Sequence, residues 1–271
     1  MDSPPANDTM TALHKPIVKT YKDILVKDDP DDRAYHVIVN KIAPYTITLV
    51  EGLDATYALF QGVGYIARNR IPGAIAECGV WRGGSMMLAA HALRHFQDTS
   101  RELYLYDTYD GMTRPDDVDV DFEGNAMKTL WLEAVRNGKS MGFGGSLDTI
   151  KYYMRSTNYP EQQMRFVVGD VLETIPAAVP SQIALLRLDT DWYKSTLHEL
   201  NHLYDLVVPR GIVIIDDYGW CRGAKAWAVM RTRSINMHTD RACCHSLTDV
   251  RHELAFHPDQ DLLNAEFMVG C

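Results

Sequence analysis

Residues Ala74 to Ser85 read AIAECGVWRGGS: a short apolar run that gives way at once to a turn holding Gly79, Gly83 and Gly84. An apolar run of strand length bounded by turn residues reads as a strand buried on both faces. The glycines permit a tight turn and let the backbone approach a ligand closely. The next stretch, Ser85 to Phe96, has the period of a helix. Strand, glycine turn and helix in this order form the opening unit of an alternating α/β fold.

The same texture continues downstream. Apolar runs recur at Leu103 to Tyr106, Arg165 to Val168, Ile183 to Leu188 and Ile212 to Ile215, and Ser195 to Leu206 places Leu197, Leu200, Leu203 and Tyr204 on one helical face. The expected architecture is a doubly wound, mostly parallel sheet flanked by helices. Upstream, Leu53, Tyr57, Phe60, Val63, Ile66 and Ala67 recur at helical intervals until Pro72-Gly73 breaks the pattern. Residues 1–50 read as a helical N-terminal extension or lid, in which KDDPDDR at Lys27 to Arg33 is an acidic loop between short helices, and 51–271 as the main domain, atypical from about Ser234. Arg114 to Ser146 is polar, acidic and Gly-rich, and is expected to be a lid over a site.

With 271 residues, 46% of them hydrophobic, the chain can bury a substantial core. A net charge of −9 disfavours nucleic acid and anionic membranes as partners, because both bind cationic surfaces. The expected partner is a small molecule. The five cysteines lack zinc-type spacing, and Cys243 and Cys244 are too close for an ordinary disulfide. Reduced thiols, no basic leader before an apolar segment and no run near the roughly 18 residues of a membrane span point to a cytoplasmic protein. No repeat of about 20 to 50 residues is present.

In an open α/β sheet, ligands gather beyond the carboxyl ends of the strands, so the polar residues that follow each apolar run matter most. After the first come Glu77, Gly79, Val80, Trp81, Gly83 and Ser85, and after the second Asp107 and Thr108. The turn is not the dinucleotide GxGxxG. Glu77 suits an ammonium group better than a pyrophosphate, and Asp107 stands where a carboxylate accepts both hydroxyls of a ribose, so a nucleoside-bearing cofactor is expected. Asp170, in VVGD, either reaches the adenine side or caps a helix before Val171. The fourth and fifth runs end in LRLDTDWY and IVIIDDYG. Converging carboxylates from neighbouring strands are costly unless a cation neutralises them, and an all-oxygen set suits magnesium, manganese or calcium. Asp189, Asp216 and Asp217 are the expected ligands, with Asp189 also nearest to take a proton; Asp191 is an outer carboxylate or a cap for the helix near Ser195.

At IPGAIAECGVWRGGSMM, LYLYDTYDGM, LLRLDTDWYKST and GIVIIDDYG, with YTIT at Tyr45 to Thr48, the chain strongly resembles the macrocin O-methyltransferase (TylF/MycF-type) family. The motifs span roughly Tyr45 to Lys225. The resemblance implies a Rossmann-like class I methyltransferase fold, S-adenosylmethionine as methyl donor, magnesium, and a sugar hydroxyl of an antibiotic-like natural product as acceptor. It places Glu77, Gly79 and Ser85 near the methionine end of the cofactor, Asp107 on its ribose, and Asp189, Asp216 and Asp217 on the metal. In such chemistry the metal lowers the pKa of the acceptor hydroxyl and aligns it with the methyl group. Positioning is worth about 7 to 11 kcal/mol and a general base about 10² to 10⁴ in rate, so orientation is expected to dominate.

The chain departs from the family at Lys194, where many relatives carry Glu, and at Trp220, where they carry His. His238, His245, His252 and His257 lie near Cys243 and Cys244 but without zinc spacing, and read as surface histidines. Trp81, Trp192 and Trp220 read as core aromatics ahead of acceptor contacts, and His91 and His95 as a polar helix face. A haloacid-dehalogenase-type phosphatase is the first rival. It is disfavoured because that chemistry places its DxD on the first strand, whereas here the motif lies two-thirds along the chain. The residues also permit a catechol or phenol as acceptor, or a non-catalytic binding module of the same fold. The helix from Leu53 to Ala67 and the extension before it are expected to serve a second subunit if the protein is a homo-oligomer.

Overall fold

The computed structural model describes residues 29–46, 54–216 and 266–269. The first helix, α1, is Pro30–Ile42. The Asp29 carboxylate accepts from the backbone N–H groups of Asp31 and Asp32 at 2.7 and 3.2 Å, and Pro30 sits in the first turn, where its missing N–H costs nothing. The acidic stretch expected as a loop is thus helical from Pro30 onward, because its proline occupies a helix start. Tyr35, Ile38, Val39 and Ile42 of α1 are buried in the main core cluster with residues of the helices and strands that follow.

Those elements are α2 (Asp54–Arg68), β1 (Ala74–Cys78), α3 (Gly84–His95), β2 (Leu103–Asp107), α4 (Met127–Arg136), α5 (Leu147–Ser156), β3 (Met164–Val168), α6 (Val171–Thr174), β4 (Ile183–Leu188), α7 (Tyr193–Leu203), β5 (Val207–Ile215) and β6 (Glu266–Val269). The five apolar runs are β1 to β5. The strands pair in the order β3-β2-β1-β4-β5-β6, every pairing parallel. The doubly wound expectation holds, and the chain reverses its direction of build between β1 and β4. The space beyond the carboxyl ends of those two strands is where open α/β sheets bind ligands.

One expectation fails at the edge of the sheet. β3 is not buried on both faces: Arg165 is exposed and Val168 is 51% exposed, because β3 is the last strand on its side. At the other side β6 pairs with β5 from Ile212↔Glu266 to Ile215↔Val269. The remainder of the tail read as atypical lies outside the described residues.

Alternation along the strands divides the core into two layers. Ile75, Leu103, Leu105, Leu185, Ile212 and Ile214 pack with α1, α2 and α3; Ala76, Cys78, Tyr106, Leu186, Leu188, Val213 and Ile215 pack with α6 and α7. Among the described residues no helix is long and apolar enough to cross a membrane.

Candidate functional site

The ends of β1, β2 and β4 stay paired right up to the glycine turn: Gly79 N–H donates to the Tyr106 carbonyl at 2.9 Å and Asp189 N–H to the Cys78 carbonyl at 2.8 Å. Gly79 has φ +85, and a Cβ there would lie 1.9 Å from the Asp189 carbonyl oxygen. Both facts demand glycine. Asp107, at the end of β2, holds the turn in place. Its Oδ2 accepts from Val80 N–H at 2.7 Å and Trp81 N–H at 2.9 Å, and its Oδ1 accepts from Tyr109 N–H at 2.7 Å. Both acceptor sites of Oδ2 are thereby used, and Oδ1 also lies 3.5 Å from the Thr108 hydroxyl. The Thr108 hydroxyl donates to the Gly111 carbonyl at 2.6 Å and so shapes the next turn. Beyond Trp81, whose ring lies under the Arg82 guanidinium, Gly83 (φ +83) leads into α3 and buried Ser85. A Cβ on Gly84 would lie 2.4 Å from the Tyr45 carbonyl, so the Tyr45–Thr46 segment is packed directly against the start of α3.

The acidic residues meet through register. Glu77 of β1 is paired with Arg187 of β4, and Arg187 with Ile214 of β5. Side chains alternate along a strand, so Asp189, two residues after Arg187, lies on the same face, and Asp216, two residues after Ile214, lies beside it. Arg187 Nη1 donates to Glu77 Oε1 and to Asp189 Oδ2, each at 2.6 Å, and Nη2 donates to Asp216 Oδ2 at 2.7 Å. The side chains of Arg187, Glu77 and Asp216 are 4%, 1% and 8% exposed, and that of Asp189 25%. Burial opposes charge on the guanidinium, but Asp189, Asp216 and Glu77 outweigh it and hold the group above its ordinary value. Burial likewise raises the Glu77 carboxyl to about 7 against the pull of Arg187.

The sequence reading foresaw carboxylates needing a cation and supplied a metal; within the fold a guanidinium stands among them. Among the described residues no three of His, Cys, Asp and Glu are arranged as a ready metal-ligand set. Asp217 lies outside the described residues. Asp189 and Asp216 do converge, and Asp216 Oδ1 and Glu77 Oε2 are buried without a hydrogen-bond partner among the described residues. The signal for Arg187 was its charge inside a run otherwise buried on both faces.

A second polar group lies under the same loop on the opposite face of the sheet. Glu199 of α7 is fully buried, and burial raises its carboxyl to about 8. Its Oε1 is 2.8 Å from the Thr190 hydroxyl, which is 2.9 Å from the Ser195 hydroxyl, and Ser195 donates to the Trp192 carbonyl at 3.0 Å. A hydroxyl has one proton, so the chain is complete only when protonated Glu199 donates to Thr190 and Thr190 to Ser195. Proton count and burial agree on a neutral Glu199.

The stretch from Arg114 to Ser146 is no bare loop: it contains α4 and is fastened over the site at several points. Tyr193 N–H, at the start of α7, donates to Asp119 Oδ1 at 2.8 Å, and Trp192 Nε1 donates to the Thr113 carbonyl at 3.0 Å. Trp192 is buried beside Met127, Met112 and Met141, in keeping with its reading as a core aromatic. Gly144 packs on the other half of the site, where a Cβ would lie 2.4 Å from the Trp81 carbonyl carbon. The insert therefore touches both the glycine turn and the β4–α7 loop.

Two candidate residues have local partners. Asp170 caps α6, accepting from Leu172 N–H at 2.9 Å through Oδ1, as the cap reading expects. Asp191 adopts φ +65, and at the start of α7 next to it Asp119 of the insert accepts from Tyr193 N–H. Lys194 is exposed, and His95 pairs with Asp31. Trp220, the four histidines after position 237 and the Cys243-Cys244 pair lie outside the described residues.

The family described as Macrocin-O-methyltransferase (TylF) has a sequence model that matches residues 42–241. Demethyldecarbamoylnovobiocin O-methyltransferase of Streptomyces niveus is 31% identical over 174 residues, 64% of this chain and 63% of that protein. Mycinamicin III 3''-O-methyltransferase of Micromonospora griseorubida is 31% identical over 151 residues, 56% of this chain and 57% of that protein. The chain thus spans about three-fifths of the length of the relatives it matches. Among solved structures, the O-methyltransferase NovP superposes with a TM-score of 0.61 at 24% identity, covering 85% of this chain and 93% of that one. The calicheamicin methyltransferase CalS11 does so with a TM-score of 0.50 at 17% identity, covering 90% and 97%. At these identities the likeness establishes the fold.

Proposed function

The chain belongs to the macrocin O-methyltransferase (TylF) family, and from that premise we propose that it transfers a methyl group from S-adenosylmethionine to a hydroxyl on a sugar of a glycosylated natural product, with the aid of magnesium. The observation that carries this reading is the convergence of Glu77, Asp189 and Asp216 from three strand ends at the point of reversal, beside a turn pinned by Asp107. The relatives support the choice of acceptor, since their names place their methyl groups on antibiotic compounds and, in one, on the 4'-oxygen of a rhamnosyl-tetracenomycin.

The site fits both groups in its chemistry. Its donors at the acidic end are carboxylate oxygens, as a hard cation requires, and Asp216 Oδ1 is a buried acceptor without a partner among the described residues. Asp189, Asp216 and Asp217 would hold magnesium; Glu77, Gly79, Val80, Trp81, Gly83, Ser85, Asp107 and Thr108 would line the cofactor's place. When bound, the cation supplies Lewis acidity toward the acceptor hydroxyl and the cofactor supplies an electrophilic methyl group. The protein's own part is placement. Asp107 fixes the turn through the Val80 and Trp81 amides, and Gly79 lets that turn approach the backbone of Asp189. Asp189 takes the hydroxyl proton, being the most exposed of the three acids joined by Arg187. The insert, fastened through Asp119, Trp192 and Gly144, lies over the glycine turn and the β4–α7 loop, where it would limit the access of water to the reacting groups.

Calorimetric titration of S-adenosylmethionine into wild type, Asp107→Asn and Asp107→Ala tests this. The wild type binds; affinity falls through Asn to at least ten-fold weaker in Ala, because the Val80 and Trp81 amides lose their acceptor, a cost of about 1–3 kcal/mol for each buried group. Absence of binding to the wild type would overturn the reading. Mass spectrometry of glycosylated acceptors incubated with enzyme, cofactor and magnesium then seeks the gain of one methyl group.

A further inference from the structure

Arg187 is the one member of the cluster to which the chemistry above gives no task, yet every carboxylate in the cluster bonds to it. Its planar group reaches Glu77 on the cofactor side and Asp189 and Asp216 on the acidic side, and all three distances are 2.6 to 2.7 Å. We propose that Arg187 is a positioning residue that couples the cofactor end of the site to its metal end, so that occupancy of one is felt by the other. The proposal rests on the methyltransferase reading.

The geometry supplies the mechanism. A guanidinium is rigid, and its two terminal nitrogens move as one body, unlike the donors of separate side chains. Nη1 is shared between Glu77 and Asp189, so a shift of Asp189 toward a cation changes what Nη1 offers Glu77. Asp216 and Glu77 each give one oxygen to Arg187 and keep the other buried and unpartnered among the described residues. Each can therefore take a second ligand while the guanidinium stays in place. Glu77, Asp189 and Asp216 come from β1 and from the ends of β4 and β5, so their separation is set by register and not by a flexible loop. Lysine carries the same charge but is a point donor that cannot span three acceptors in one plane.

The experiment measures binding without turnover. Calorimetry gives the affinity of S-adenosylhomocysteine with and without saturating magnesium, and of magnesium with and without S-adenosylhomocysteine, for wild type and Arg187→Lys. In wild type each ligand changes the other's dissociation constant by the same factor, five-fold or more, as linkage requires. Folded Arg187→Lys binds each ligand alone, but the factor drops below two. If Arg187→Lys fails to fold, Glu77→Met serves: it removes the acceptor of Nη1 on the cofactor side and leaves the Arg187 bonds to Asp189 and Asp216 in place, so magnesium alone still binds while the factor falls. A wild-type factor below two, or a factor unchanged in whichever variant is folded, overturns the proposal and leaves the methyltransferase reading standing. Wild type that binds neither ligand overturns both.

Discussion

The indole Nε1 of Trp192 donates to the carbonyl of Thr113 at 3.0 Å, joining the loop after β4 to a segment seventy-nine residues earlier in the chain. The ring fills a small apolar pocket with Met112, Met127 and Met141, so one side chain both packs and fastens the insert.

Trp192→Ala is therefore expected to release the insert before it disturbs the sheet. Truncation of a buried Trp costs about 3–5 kcal/mol, here concentrated on the docking of the insert, residues 114–146. Trp192→Phe keeps most of the packing and loses only the bond to Thr113, about 1 kcal/mol. Limited proteolysis checks this: cleavage within the insert accelerates strongly in Ala and slightly in Phe. Equal rates in all three proteins would mean that other contacts hold the insert.

Glu199 makes stability depend on pH. Its carboxyl is raised from an ordinary 4.5 to about 8, so the folded protein holds a proton that the unfolded chain has already lost between those values. This contribution is complete below about pH 4.5, declines as pH rises through about 8 and is gone above it. Glu199→Gln keeps the bond to Thr190 without the titration. Urea denaturation is expected to give similar stabilities at pH 4.5 and a variant more stable by on the order of a few kcal/mol at pH 9. A difference that does not change with pH would show that Glu199 is ionised throughout.

Gly79→Ala meets two obstacles, a positive φ and the Asp189 carbonyl in the place of its Cβ. The loss is expected to exceed about 1 kcal/mol, the scale for a strained φ alone, because the backbone contact cannot be relieved by rotating a side chain. A thermal melt reads the destabilisation, and calorimetry reads weaker cofactor binding even where the variant folds. Wild-type stability would mean that the turn can move away from β4.

Much of this protein was legible in order. The five apolar runs became β1 to β5 because strands covered by helices on both sides leave an unbroken apolar signal, and the acids were found by looking just past those runs. β3 misled because an edge strand can carry an apolar run without cover on both faces. The insert hid α4 although Met127, Leu130, Trp131 and Ala134 recur at helical intervals, because the acidic and glycine-rich residues on either side of this short helix gave the whole segment the texture of a loop.

The sequence by itself determined the alternation of strand and helix, the glycine turn and the acids that follow each strand, since these depend on residue type and on distance along the chain. Tertiary structure alone decided which groups meet. Arg187 looks like a misplaced charge in an apolar run until the pairing of β1 with β4 sets Glu77 against it and β5 brings Asp216 alongside. Asp119 and Trp192 lie more than seventy residues from Tyr193 and Thr113 respectively, and they meet them because the insert folds back over the strand ends. Register and chain return act between distant segments, and no local pattern carries them.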